Sequence, residues 1–182
     1  MSLQSKAAAV RLILFDVDGV LTDGRVIVHS DGSESKWFAI RDGIAIVWAQ
    51  RSNVRVGLLS ARHSPTTPHR AAQLGITLIH QGVTSKIEAY ERILEAERLS
   101  DQDVAYMADD IVDLAVLRRA GFSCAPADAV PEVRSRVDWV SRFNGGDGAA
   151  RELDELILRA QGSWDAVVSS YENEPASGST RK

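Results

Sequence analysis

The sequence has a single cysteine, Cys124, in 182 residues. No disulfide can close within the chain, which excludes a small disulfide-stapled scaffold and fits a reducing compartment. Cys124 lies in the apolar run from Phe122 to Ala125, the place of a core residue rather than a nucleophile. No run of lysine or arginine could track a phosphate backbone, and the formal charge is -4; nucleic acid is excluded as a partner. No apolar run approaches the roughly 18 residues that a membrane span needs. The first ten residues carry one lysine and too few large apolar side chains for a signal peptide, so a cytoplasmic location is expected. His29, His63, His69 and His80 are scattered without ligand spacing, which disfavours zinc. The four tryptophans suit a core or an interface better than a base-stacking platform.

What is present is the composition of one globular domain, 45% hydrophobic and 25% charged. A single domain is expected over residues 11–171, after a flexible N-terminus at 1–10 and before a disordered polar tail at 172–182. Apolar runs at 11–15, 55–59, 77–80, 104–108 and 122–125 read as buried strands. Helical patterns fill 43–51, 65–74, 86–98 and 111–120, and a last helix runs from Ala149 to about Ser170. Ser85 and Glu88 stand at capping-box spacing and fix the start of the helix at Lys86. Such alternation predicts an α/β fold, a parallel sheet covered by helices on both faces. One insert, about residues 24–40, breaks the rhythm as two strand-like runs joined by Ser30-Asp31-Gly32-Ser33, a hairpin. Its Val26, Val28, Trp37 and Phe38 are too apolar for a solvated flap, so something should cover them.

The chemistry concentrates at Asp16-Val17-Asp18-Gly19-Val20-Leu21-Thr22, directly after the first strand. On an extended segment Asp16 and Asp18 point to the same side, past the carboxyl edge of the sheet where open α/β folds bind ligands. A second acidic group, Asp109-Asp110-Ile111-Val112-Asp113, holds the same position after the strand at 104–108. If those two strands are neighbours, their carboxylates can hold one hard ion between them, and an all-oxygen donor set suits Mg²⁺. Ser60 ends the strand at 55–59 and Lys86 opens a helix, so both can hold phosphate oxygens. Arg41 and Arg62 are candidates for a substrate carboxylate or for surface ion pairs.

In order and spacing these motifs resemble the haloacid dehalogenase superfamily of phosphatases. The match spans most of residues 11–160: DVDGVLTDG, the hairpin, RDG at 41–43, LSAR at 59–62, GVTSK, ADDIVD, PADAVP at 126–131 and GGDGAARE at 145–152. The hairpin and the final motif point to the small capless group of octulosonate phosphate phosphatases. The resemblance implies a Rossmann-like three-layer sandwich with the hairpin in place of a cap, and hydrolysis of a keto sugar acid phosphate such as 3-deoxy-D-manno-octulosonate 8-phosphate through an aspartyl-phosphate. It implies that Asp16 attacks phosphorus and that Asp18 is the general acid and base. Mg²⁺ would rest on Asp16, the Asp18 carbonyl and Asp109. Ser60 and Lys86 would grip the phosphoryl group, Asp110 and Asp113 would support the metal or orient Lys86, and Ala61, Arg62 and Arg41 would line the substrate site. Hairpins would associate in a homotetramer.

Three positions depart from the family pattern: Ala108 where Gly is usual, Ser60-Ala61-Arg62 for Thr-Gly-Arg, and Asp147 for an Arg in the final motif. A nonulosonate 9-phosphate is the alternative substrate. Two other classes share parts of the pattern. A phospho-receiver domain would carry its acceptor Asp and its Lys later than the first acidic pair, whereas here Lys86 precedes Asp109. A non-catalytic oligomerisation module would not need Asp16, Asp18, Lys86 and Asp109.

Overall fold

The computed structural model describes residues 1–173. Strands run in the order β1 (Leu12–Phe15), β2 (Ile27–Val28), β3 (Glu34–Ser35), β4 (Arg55–Ser60), β5 (Leu78–Gln81), β6 (Val104–Met107), β7 (Phe122–Ala125) and β8 (Trp139–Val140). β2 and β3 pair as the antiparallel hairpin. The others form a six-stranded parallel sheet, ordered β5-β4-β1-β6-β7-β8. Helices are α1 (Leu3–Ala9), α2 (Ile40–Arg51), α3 (Thr66–Gln73), α4 (Lys86–Glu97), α5 (Leu114–Leu117), α6 (Pro131–Arg134), α7 (Ala149–Ala160) and α8 (Trp164–Glu172). No helix among the described residues is long and apolar enough to cross a membrane.

Strand β1 is buried along its whole length because it is central and covered on both faces. Its side chains alternate between two cores. Ile13 and Phe15 pack with Ile46, Ala49, Ala71, Leu153 and Ile157 of α2, α3 and α7. Leu12 and Leu14 pack with Tyr90, Ile93, Val116 and Val133 of α4, α5 and α6. Each such burial contributes about 1.5–3 kcal/mol, and together they make β1 a rigid base for the loop that follows.

Several elements differ from their sequence patterns. The N-terminal residues form a helix: Ser2 Oγ accepts the Ser5 N–H at 3.2 Å, and buried Ala7 docks α1 on the core. Three consecutive alanines favour that helix intrinsically. The last helix is two, parted at Gly162, whose φ of +72° lets the chain turn. Residues 111–120 make only a 3₁₀ turn (Ile111–Asp113) and the one-turn α5, while β8 and α6 are too short to show any period. Phe38 leaves the hairpin's apolar face and packs on the core, whereas Val28, Trp37 and Ile40 stay exposed. Of the polar tail, Glu172 closes α8 and Asn173 caps it, and the remainder, 174–182, lies outside the described residues.

Between α2 and α7 lie two buried acids. Asp42 accepts the N–H groups of Gly148 (3.2 Å) and Arg151 (2.9 Å) and so caps α7. Asp154 is fully buried, and neither of its oxygens has a hydrogen-bond partner. Burial, reinforced by Asp42 and Glu155, pushes its carboxyl far above the ordinary range. An acid raised in the folded state keeps a proton that the unfolded chain has lost, so stability falls as pH climbs above about 4. Asp154→Leu is therefore expected to raise stability at pH 8 by about 1–3 kcal/mol. Chemical denaturation at pH 5 and pH 8 checks it, and a variant less stable at pH 8 contradicts it.

Candidate active site

Three adjacent strands deliver the site. Asp16 follows β1, Ser60 ends β4 and Asp109 lies two residues beyond β6, all at the carboxyl edge. The chain winds away from β1 in both directions, through β4 to β5 and through β6 to β8, and that reversal opens a crevice. A cavity of about 270 Å³ there is lined by Asp16, Asp18, Gly24, Ser60, Ala61, Arg62, Lys86, Asp109, Asp110 and Val112. The sequence-derived candidates thus converge, with two exceptions. Arg41 lines a different cavity beside α7, and Asp113 is fully buried behind the pocket.

At the centre, Lys86 Nζ lies 2.9 Å from Asp16 Oδ2 and 2.5 Å from Asp113 Oδ1. The hydroxyl of Tyr106 donates to the same Asp113 oxygen and accepts from Lys86 at 3.4 Å. The other Asp16 oxygen accepts the Val17 N–H at 2.7 Å. Ser85 caps α4 through the Glu88 N–H, 3.3 Å, which aims the first side chain of the helix, Lys86, into the pocket. Asp109 is placed by an absence: a Cβ on Gly19, φ +84°, would fall 2.0 Å from its Oδ2. Only glycine lets that carboxylate lie on the loop backbone. Thr22 closes the same loop, accepting the N–H groups of Gly19 and Gly24 at 3.4 and 3.2 Å.

Sequence reasoning missed Tyr106, Glu34 and Lys36. Tyr106 looks like any buried strand residue, and the other two belong to a hairpin whose docking has no local signature. Lys36 Nζ lies 2.7 and 3.0 Å from the two oxygens of Asp18, its side chain 1% exposed. Both carboxylate oxygens of Glu34 hold the Arg62 guanidinium, and one also takes the Ser64 hydroxyl. Asp110 is exposed and caps the 3₁₀ turn through the Ile111 N–H at 2.7 Å.

Four carboxylates (16, 18, 109 and 113) face two ammonium groups (36 and 86), a formal surplus of two negative charges. Burial pushes Asp16 up to about 6 against the pull of Lys86. Burial, with Asp16 and Asp113 alongside, pushes Asp109 up to about 7. Burial lowers the tendency of Lys86 to hold its proton, but Asp16 and Asp113 prevail and raise it. Asp16, Asp109 and Asp113 each offer an oxygen within 4.8 Å of the others. Asp113 Oδ2 is buried with no hydrogen-bond partner in the structure. A compact, charge-deficient set of oxygens with an orphaned lone pair fits a hard divalent ion, and magnesium is the ion that such donors favour.

Sheet order, acidic edge and buried lysine define a haloacid dehalogenase-type phosphatase, and the haloacid dehalogenase-like hydrolase model matches residues 66–153. The 3-deoxy-D-manno-octulosonate 8-phosphate phosphatase of Escherichia coli K12 is 41% identical over 161 residues, 88% of this chain and 86% of its own. The chain belongs to the family of the 3-deoxy-D-manno-octulosonate 8-phosphate phosphatases. Solved structures agree. The Yersinia pestis enzyme superposes with a TM-score of 0.88 at 37% identity, covering 90% of this chain and 88% of its own. The Moraxella catarrhalis enzyme, in complex with magnesium, phosphate and KDO, gives 0.91 at 34% identity, with 93% and 97% covered.

Unfolded, these acids titrate near 3.8; folded and metal-free, Asp16 and Asp109 do so near 6 and 7. Between those limits the folded chain holds more protons, so its stability drops as pH rises. With chelator present, the thermal midpoint is expected to fall between pH 4 and pH 7, and magnesium to restore it more at pH 7.5 than at pH 5. A chelated midpoint that rises across this window contradicts the assignment.

Proposed function

We propose that this chain hydrolyses the phosphomonoester of 3-deoxy-D-manno-octulosonate 8-phosphate by way of a phosphoryl group carried on Asp16. The observation that carries this reading is the buried ion triad in which Lys86 bridges Asp16 and Asp113 at the mouth of β1. A nucleophilic carboxylate must be ionised and aimed, and the Val17 N–H and Lys86 do both by taking one oxygen each. Asp16 attacks phosphorus as the bond to the sugar oxygen breaks, and Asp18 hands its proton to that oxygen. Asp18 then takes a proton from the water that attacks phosphorus, freeing phosphate and Asp16. Ser60 and Lys86 hold the non-bridging oxygens, so the charge spread over them in the transition state meets fixed donors.

Magnesium would be held by Asp16 and Asp109 with the Asp18 backbone carbonyl, Asp113 lying behind, and would supply the positive charge that lets a carboxylate approach a phosphate. Arg62 and Ala61 line the cavity wall and would meet the sugar acid there. Arg41 instead faces Asp147 at 3.8 Å and lines a different cavity, so it is not part of this chain's substrate pocket. A nonulosonate 9-phosphate is the second substrate to assay. The lone buried thiol and a phosphorylated metabolite as substrate support a cytoplasmic location.

Val28, Trp37 and Ile40 are 73%, 70% and 76% exposed on or beside the hairpin, which supports its burial between subunits of a homotetramer. The open cavity would then be closed by a neighbour.

Asp16→Asn is expected to lower kcat by about 10³-fold or more without altering assembly. Octulosonate 8-phosphate should give the highest kcat/KM in a panel with nonulosonate 9-phosphates and hexose phosphates. Turnover unchanged in the variant would end the reading. Trp37→Glu should yield smaller species by light scattering and a higher KM; a fully active monomer contradicts the role of assembly.

A further inference from the structure

The hairpin enters the site through charge as well as apolar surface. Glu34 and Lys36 are two residues apart on an extended segment and so turn to the same side. That side meets two of the loops that line the cavity. Glu34 holds Arg62 and Ser64 of the loop after β4, while Lys36 reaches Asp18 of the loop after β1. The Lys36 side chain, 1% exposed, is more completely enclosed than Lys86 at 6%, and its ammonium meets both oxygens of Asp18. A buried ammonium is stable only with a partner, so the pair forms one fixed unit.

We propose that Lys36 is a positioning residue for the protonation of the leaving group, acting through Asp18; this rests on the phosphatase reading above. Asp18 lies on a loop and is 22% exposed, so its carboxyl would otherwise sample several rotamers. One hydrogen bond from an anchored ammonium, 3.0 Å to Oδ2, together with the 2.7 Å ion-pair contact to Oδ1, holds the carboxyl in one orientation. When the bond from phosphorus to the leaving oxygen breaks, the proton passes from Asp18 to that oxygen, and the resulting carboxylate lies against the Lys36 charge. The ammonium gives up no proton in the step. General acids work only when held in place, and poor leaving groups need them most.

The test is a leaving-group series, with kcat/KM measured for p-nitrophenyl phosphate and unsubstituted phenyl phosphate. For Lys36→Met the value for phenyl phosphate is expected to fall about 30-fold or more and that for p-nitrophenyl phosphate less than about 3-fold. The ratio of the two is the quantity read, because a loss of folded protein lowers both equally and leaves it unchanged. Lys36→Arg, which returns a cation within reach of Asp18, should recover most of the ratio. A ratio equal to the parent's in Lys36→Met, or no recovery in Lys36→Arg, overturns the proposal. Asp16→Asn separates the two claims. If it abolishes turnover of both esters while the Lys36→Met ratio is unchanged, only the role of Lys36 fails; if it leaves turnover intact, the phosphatase reading fails as well.

Discussion

Four carboxylates held at one end of a sheet repel one another, and the neighbouring structure is arranged around that repulsion. Lys86 stands between Asp16 and Asp113, Lys36 pairs with Asp18, and the remaining deficit of positive charge leaves room for a divalent ion. Burial sharpens every term, because charges removed from water interact strongly and are costly when unpaired. The same crowding that opposes folding of the metal-free site suits it to a divalent cation. Tyr106 belongs to this balance, since its hydroxyl donates to the Asp113 oxygen that also meets Lys86.

The motifs away from the acidic cluster serve as a frame for the loop that carries Asp16 and Asp18. Asp42 of RDG caps α7 through Gly148 and Arg151. Asp128 of PADAVP accepts the Gly145 N–H at 2.9 Å, and the Gly146 N–H donates to Val20 at 2.8 Å. A Cβ on Gly145 would stand 1.9 Å from the Gly19 carbonyl oxygen, so the two loops touch backbone to backbone. Gly19 in turn lies against Asp109. Residues more than a hundred positions apart thereby fix one turn of main chain, and a shift in any of them would move the acid edge.

On the outside, the chain divides its aromatic residues by role. Trp48 lies within 5.6 Å of Trp164 and 6.0 Å of Tyr171, edge to face, and donates to the Tyr171 hydroxyl at 2.9 Å, which seats α8 on α2. Trp139 packs against the main core. Trp37 does neither and stays exposed next to the buried Lys36, so the hairpin presents charge inward and apolar surface outward. The interface expectation for the tryptophans therefore falls on one of the four.

The strands, the long helices and the acidic pairs were legible in the sequence because each is written locally. A buried parallel strand is a short apolar run and the loop after it lies at the carboxyl edge, so Asp16, Ser60 and Asp109 could be placed at that edge, while their convergence with Lys86 rested on strand adjacency and on the family resemblance. Very short elements such as β8 and α6, the break at Gly162 and the helix at Leu3–Ala9 escaped, since they are fixed by packing and by one backbone angle rather than by a period. Partners across the chain could not be read at all. Which acid Lys86 bridges, where Glu34 and Lys36 point and which way Arg41 faces depend on the docking of a hairpin and on helix placement. Sequence by itself determined the type of chemistry, because that lives in residues adjacent to strands; the tertiary structure decided which charge meets which, because ion pairs form through space between segments that the chain order does not bring together.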